Sequence, residues 1–254
     1  MYITSISNNI IKEVLSLHNK KFRDEKELFI VEGKKQIEEI INDWQICYFV
    51  ATKEFENKLP GENKVYYVSD SLFKKVSTTV TPQGVMAIVK KKRFDVDTIT
   101  NKQNGLFVIL DSLQDPGNLG TIIRSAVAFG VDGIFISKNS IDVFSDKVVR
   151  STMGAIFKVP VITECNLFET IKILKNKNIT VYSLDLAAKN YISQIKFKQS
   201  VAIIIGNEAK GIDKKIIEQS DEKIKIKMTQ NVESLNASVA CSIALYEIFK
   251  QKNL

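Results

Sequence analysis

The chain has 254 residues, 44% of them hydrophobic and 26% charged, with a net charge of +7. That composition suits a globular protein with a real core, and the basic excess fits a polyanionic partner without requiring one. No apolar run approaches the roughly 20 residues of a membrane span. One histidine and three distant cysteines leave neither a zinc site nor a disulfide framework to expect. The first residues lack the charged-then-apolar layout of a signal peptide, so the cytoplasm is the expected address.

In chain order, "LFIVEG" reads as a strand ending at Gly33 and "KKQIEEIIND" as an amphipathic helix. "ICYFVA", "KVYYVS" and "GVMAIV" follow as short strands. Together they predict a small α/β domain over residues 1–93. The polar stretch 94–104 reads as a linker, and residues 105–254 as a second domain. There "GLFVIL", "GIFIS", "FKVPVIT", "ITVYSL", "VAIIIG" and "KIKIKM" are strand candidates alternating with helical segments. Alternation of this kind predicts a parallel sheet covered by helices. The basic excess is spread over both halves, so charge does not say which would hold nucleic acid.

Three glycine- and asparagine-rich stretches sit where a strand gives way to a loop. The first is "DSLQDPGNLG" after "GLFVIL", opening a helix that runs to Gly130 and carries Arg124. The second is "GNEAKG" after "VAIII", with Glu208 at the end of a buried strand. The third is "IKMTQNVESLNASVA", in which Ser234 is placed to cap the last helix and Asn236, a poor helix former, falls in its first turn. Taken singly, each is as well explained by a helix start or a glycine turn as by a ligand site. Three such junctions in one domain favour a site at the carboxyl edge of the sheet. Neither a dinucleotide fingerprint nor a phosphate-loop lysine is present.

In this order the segments resemble the SpoU (TrmH-like) branch of the SPOUT RNA methyltransferases. The motifs are Asn118, Gly120, Arg124, Ser125 and Ala126; then Gly206, Asn207, Glu208 and Gly211; then Met228, Ser234, Leu235 and Asn236. Lys227 before Met228 and Ala209 after Glu208 depart from the family pattern. Residues 1–93 resemble the family's substrate-binding domain, similar to ribosomal protein L30e, through "KKFRDEKELFIVEGKKQIEEI" and "TTVTPQGVMAIV". The resemblance implies an α/β fold: a SPOUT parallel-sheet domain with a deep trefoil knot, and a smaller L30e-like domain.

The implied activity is transfer of the methyl group of S-adenosylmethionine to a ribose 2′-hydroxyl of structured RNA, 23S ribosomal RNA being favoured. A transfer RNA substrate and a non-catalytic RNA-binding adaptor are the alternatives, and DNA is not expected. By the same resemblance Leu184, Gly206, Ile226, Met228 and Leu235 contact the cofactor. Arg124, Asn118, Glu208, Ser234 and Asn236 form the catalytic set. An arginine is a poor base near neutrality, so Arg124 is read as holding phosphate and stabilising alkoxide charge. Lys20, Lys21 and Arg23 around Phe22 are expected to contact RNA. His18 lies outside the motifs and is expected at the surface. A homodimer is implied, built on the last helix and the helix of the first motif. A chain starting near Gly105 holds all three motifs and is expected still to dimerise and bind S-adenosylmethionine while losing most activity on RNA.

Overall fold

The computed structural model describes residues 2–40, 43–229 and 231–252. It divides into two compact units, Met1–Lys92 with Asp142–Phe157, and Arg93–Ile141 with Lys158–Leu254. The first unit contains β1 (Tyr2–Ile3), α1 (Asn9–Leu17), α2 (Lys20–Lys26), β2 (Leu28–Glu32), α3 (Lys34–Glu38), β3 (Ile46–Thr52), β4 (Val65–Val68), α4 (Asp70–Val76) and β5 (Val85–Lys90). Asn8, Asn19 and Ser69 start α1, α2 and α4, each side chain accepting an amide of the first turn. The helix expected over residues 34–43 forms only as α3. It closes in short turns, with the Glu39 amide on Gln36 and the Ile40 amide on Ile37. Residues 41 and 42 lie outside the described residues.

The strands form one sheet in the order β1-β4-β3-β5-β2, with β5 antiparallel to both its neighbours. One face packs Ile11, Val14 and Leu17 of α1 and Phe73 of α4 over Ile30, Val50 and Met86. On the opposite face Phe29 meets Trp44, Phe144 and Phe157, with ring centroids 6.0, 4.9 and 6.4 Å away. The Trp44 indole also donates to the Phe157 carbonyl. Two members of this aromatic cluster therefore come from residues 142–157, far along the chain.

The second unit begins with α5 (Val96–Thr100), a short helix within the polar stretch, capped by Asp95. It continues with β6 (Leu106–Leu110), α6 (Pro116–Ala128) and β7 (Gly133–Ser137). After α7 (Asp146–Ser151), which the first unit holds, come β8 (Val161–Cys165), α8 (Leu167–Asn176), β9 (Thr180–Leu184), β10 (Asn190–Tyr191), β11 (Val201–Ile205), α9 (Lys214–Gln219), β12 (Glu222–Lys225) and α10 (Ala237–Lys252). All seven strands pair in parallel, in the order β10-β12-β9-β11-β6-β7-β8. The unbroken apolar runs of β6 and β11 are buried on both faces, as a covered parallel sheet demands. Phe107, Ile109, Ile204 and Ala202 face a cluster with Leu167, Ile171 and Leu174 of α8. α6 and α10 pack on each other outside that cluster.

Residues 142–157 bear on two expectations. Val143, Phe144, Val148 and Phe157 are buried in the first unit, so a chain starting near Gly105 would carry them without the sheet they pack on. His18 is not a free surface residue. Its Nδ1 lies 2.6 Å from Asp146 Oδ2, and its Nε2 lies 2.8 Å from the Val76 carbonyl oxygen. Both neighbours are acceptors, so the doubly protonated ring satisfies both. Burial works to lower the His18 pKa, but Asp146 and the Val76 carbonyl outweigh it and raise the value.

A raised folded-state pKa makes the contribution of this contact complete below the ordinary histidine value of 6.5 and lost as pH climbs through the raised one. The urea midpoint of the whole protein should therefore decline as pH rises above about 6.5, and His18→Gln should flatten that decline. An identical slope in wild type and variant would remove His18 from the account.

Candidate active site

β6 and β11 run side by side with Leu110 opposite Ile205. From β6 the chain steps through β7 to β8 on one side of the sheet, then returns to build β9, β11 and β12 on the other. Loops leaving adjacent strands on diverging routes open a crevice at the carboxyl edge of the sheet. The first two motif loops meet in it.

Asn118, only 8% exposed in the first turn of α6, joins all three loops. Its Nδ2 donates to Glu208 Oε1 at 3.0 Å, and its Oδ1 accepts from Asn236 Nδ2 at 2.8 Å. The Ser238 hydroxyl donates to Asn236 Oδ1 at 2.7 Å and lies 3.4 Å from Asn118 Oδ1. Glu208 also accepts from the amides of Asp115 (3.0 Å) and Gln114 (3.3 Å), just ahead of the α6 cap at Asp115. Desolvation pushes the Glu208 carboxyl up, but hydrogen bonds from Asn118, Asp115 and Gln114 prevail and hold it below the usual range.

The second loop closes on itself. Asn207 and Gly211 exchange backbone hydrogen bonds, and Asn207 Oδ1 accepts from the amides of Ala209 and Lys210. Asn207 Nδ2 reaches across to the Ser112 carbonyl at 2.8 Å, a second tie to the first loop. A Cβ on Gly206 would fall 2.2 Å from the Gly211 carbonyl carbon, so no side chain fits there.

Above the ends of β9, β11 and β12 lies a cavity of about 640 Å³. The structure brings Leu184, Gly206, Ile226, Met228 and Leu235 together in its wall, with Glu208 and Ser234. Apolar side chains and open backbone edges suit a flat heterocycle, while Asp185, Lys223 and Lys225 supply charge for a zwitterionic tail.

Several expected roles change. Ser234 does not cap the last helix; α10 starts at Ala237, and Asn236 Oδ1 accepts the amides of Ser238 and Val239 in the capping position. That explains a poor helix former at this point, since Asn236 precedes the helix rather than occupying its first turn. Gln230, within the third stretch, lies outside the described residues. Arg124 is exposed on α6, outside the cavity wall, with no hydrogen bond or ion pair among the described residues. In the first unit, Lys20 and Lys21 are exposed and Lys20 pairs with Asp24. Arg23, expected at RNA, is instead 4% exposed, with Nε and Nη2 on Asp142 and Nη1 on the Leu17 carbonyl, so it holds residues 142–157. Ser238 and Asp111 join the site without being part of the set expected from the sequence. Asp111 is buried and accepts the Asp213 amide at 2.8 Å; a carboxylate ending an all-apolar strand was its signal in the sequence.

Residues 105–246 match the SpoU rRNA Methylase family, and residues 8–87 match the MRM3-like substrate binding domain. The chain is 31% identical over 250 residues to the 23S rRNA (guanosine(2553)-2′-O)-methyltransferase RlmP of Bacillus subtilis, covering 97% of this chain and 98% of that protein. It is similar to the AdoMet-bound rRNA methyltransferase from Sinorhizobium meliloti, with a TM-score of 0.90, 28% identity and coverage of 98% and 97%. The SpoU methyltransferase AviRb from Streptomyces viridochromogenes is also similar, with a TM-score of 0.87, 25% identity and coverage of 97% and 98%.

Removing the Asn118 amide takes one of two donors from Glu208 Oε1 and the acceptor from Asn236 Nδ2. Asn118→Ala should cost about 1–3 kcal/mol of stability and speed hydrogen exchange at the amides of residues 207–211 and 237–240 together. Exchange at the wild-type rate in both segments would show that Asn118 does not couple them.

Proposed function

The chain is an RNA methyltransferase of the SpoU family, and from that premise we propose that it methylates a ribose 2′-hydroxyl, in 23S ribosomal RNA, using S-adenosylmethionine. The observation that carries this reading is the Asn118 relay, which fastens three loops beside a cavity walled by all five residues expected at the cofactor. A second support is the full-length similarity to a protein named for 2′-O methylation of 23S rRNA. The cytoplasm is the proposed place of action, and a trefoil knot through the loops after β9, β11 and β12 belongs to the same proposal.

The cavity fits the cofactor. Leu184, Ile226 and Leu235 offer apolar surface to adenine, and Gly206 keeps the wall free of side chains where the two backbones nearly touch. Bound S-adenosylmethionine supplies an electrophilic methyl group on a sulfonium. What remains for the protein is to align the hydroxyl oxygen and manage its proton. Glu208 is committed to Asn118 and two amides in a setting that favours its charged form, so it fixes the loop rather than shuttling a proton. Ser234 lines the cavity with no described hydrogen bond, and in this reading it meets the substrate hydroxyl. Arg124 is free to grip the phosphate beside the target ribose and to stabilise alkoxide charge.

The first unit supplies RNA recognition, with Lys20 and Lys21 on α2 the proposed phosphate contacts. The working form is a homodimer. α10 leaves Val239, Ile243, Tyr246 and Phe249 exposed in one stripe, and Phe129, just after α6, packs on the last two. Four large apolar side chains on one helix face suit a second copy of the same surface. Sedimentation at micromolar concentration should give the dimer mass for wild type and the monomer mass for Tyr246→Asp; a monomeric wild type would overturn this assignment.

Transfer of labelled methyl from S-adenosylmethionine to unmodified 23S rRNA transcript should make one phosphodiester resistant to alkaline cleavage, and transfer RNA should accept none. A base-methylated product would refute ribose methylation. Arg124→Ala should leave cofactor affinity and melting temperature nearly unchanged while lowering transfer by about 10²–10³. Arg124→Lys should stay inactive, because it loses the planar fork that matches phosphate. Near-normal turnover in both variants would remove Arg124 from the site.

A further inference from the structure

Across the first loop from the cofactor cavity, the carboxyl ends of β6, β7 and β8 frame a second hollow of about 320 Å³. Asp111, Ser112, Ser137 and Cys165 line its inner part, and Lys138, Asn139, Asn166, Phe168 and Lys215 stand exposed around it. Phe168, at the start of α8, leaves 44% of its surface in water. Neither Lys138 nor Lys215 has an ion pair among the described residues. Asn166 spends Oδ1 on the Phe168 amide, which leaves Nδ2 without a described partner; the Asn139 side chain has none. The acids of the hollow are engaged within the fold: Asp111 takes the Asp213 amide and the Ser112 hydroxyl, and Asp213 Oδ1 takes the Lys215 amide.

An exposed aromatic ring, two unpaired cations and two uncommitted amides around one opening match the parts of an unpaired nucleotide: a face to stack, a phosphate and a base edge. We propose that this hollow binds an unpaired nucleotide of the RNA substrate, flanking the one that is methylated. The base stacks on Phe168, its edge meets the Asn139 and Asn166 amides, and Lys138 and Lys215 take phosphate. The assignment rests on the RNA methyltransferase reading above and adds a specificity determinant to it.

The residue between hollow and cavity makes occupancy consequential. Ser112 has a φ of 56°, a left-handed conformation unusual for a residue other than glycine. Its amide donates to Ser137 Oγ in the hollow at 2.8 Å, and its carbonyl accepts Asn207 Nδ2 from the cavity side at 2.8 Å. A nucleotide seated against Ser137 thus bears on the same residue, Ser112, that the cofactor loop holds from the other side.

The test uses the full-length protein with S-adenosylmethionine and unmodified 23S rRNA transcript, following both filter binding and methyl transfer. Phe168→Ala should weaken RNA binding about tenfold or more and raise KM for RNA to match, with cofactor affinity unchanged, and Phe168→Tyr should restore binding. Lys138→Gln and Lys215→Gln should each lower the slope of log affinity against log salt by about one. Wild-type RNA affinity in Phe168→Ala, or an unchanged salt slope in both lysine variants, overturns the proposal. If wild type binds RNA but transfers no methyl, the methylation reading fails while the binding comparison still judges the hollow. If wild type binds no RNA, both fall.

Discussion

The amide of Asn118 is the point on which the second unit's chemistry depends. A side-chain amide can donate and accept at once, and here it does both in one direction, from Glu208 on the second loop to Asn236 before the last helix. Aspartate there would face Glu208 with like charge, and leucine would offer Glu208 no donor and Asn236 no acceptor. Asn118 is nearly buried, while Glu208 and Asn236 reach it from exposed positions on their loops. Segments about ninety and thirty residues apart in the chain are thereby held as one wall.

That junction is possible only because of the sheet order. β6 and β11 are sequence-distant yet adjacent and in register, so Asp111 and Gly206 leave the sheet next to each other. The Asp111 amide donates to the Ile205 carbonyl, continuing the ladder one step beyond the strands. Asn207 and Ser112 then extend the contact with a side chain and a backbone carbonyl in a strained turn. The carboxyl edge is where strand pairing stops and backbone groups become available, which is why both the cavity and the second hollow open there.

The first unit follows a different constraint. Its five-stranded sheet is covered on one face by its own helices, and on the other Phe29 packs against Trp44. Residues 142–157 complete it with Phe144 and Phe157, and the Arg23–Asp142 and His18–Asp146 contacts fix them in place. A buried arginine gripping one carboxylate through two nitrogens is costly to break, because the partner charge would be left without compensation. Arg23 therefore serves folding, although its place in a basic run suggested nucleic acid.

The sequence by itself determined the α/β class, each strand with an unbroken apolar run, and the residues of the three loops. Those features are local: burial on both faces demands continuous apolar side chains, and a glycine next to a buried strand marks a place where only backbone fits. It also marked the cavity wall at Leu184, Gly206, Ile226, Met228 and Leu235, through its resemblance to a known motif order. The tertiary structure alone decided which partners those residues take. That Asn236 caps a helix while bonding Asn118, that Arg23 is buried, and that residues 142–157 belong to the first unit depend on which distant segments meet. Charge, propensity and periodicity describe a residue's preference for water or for a conformation. They hold no record of the neighbour that long-range packing brings beside it.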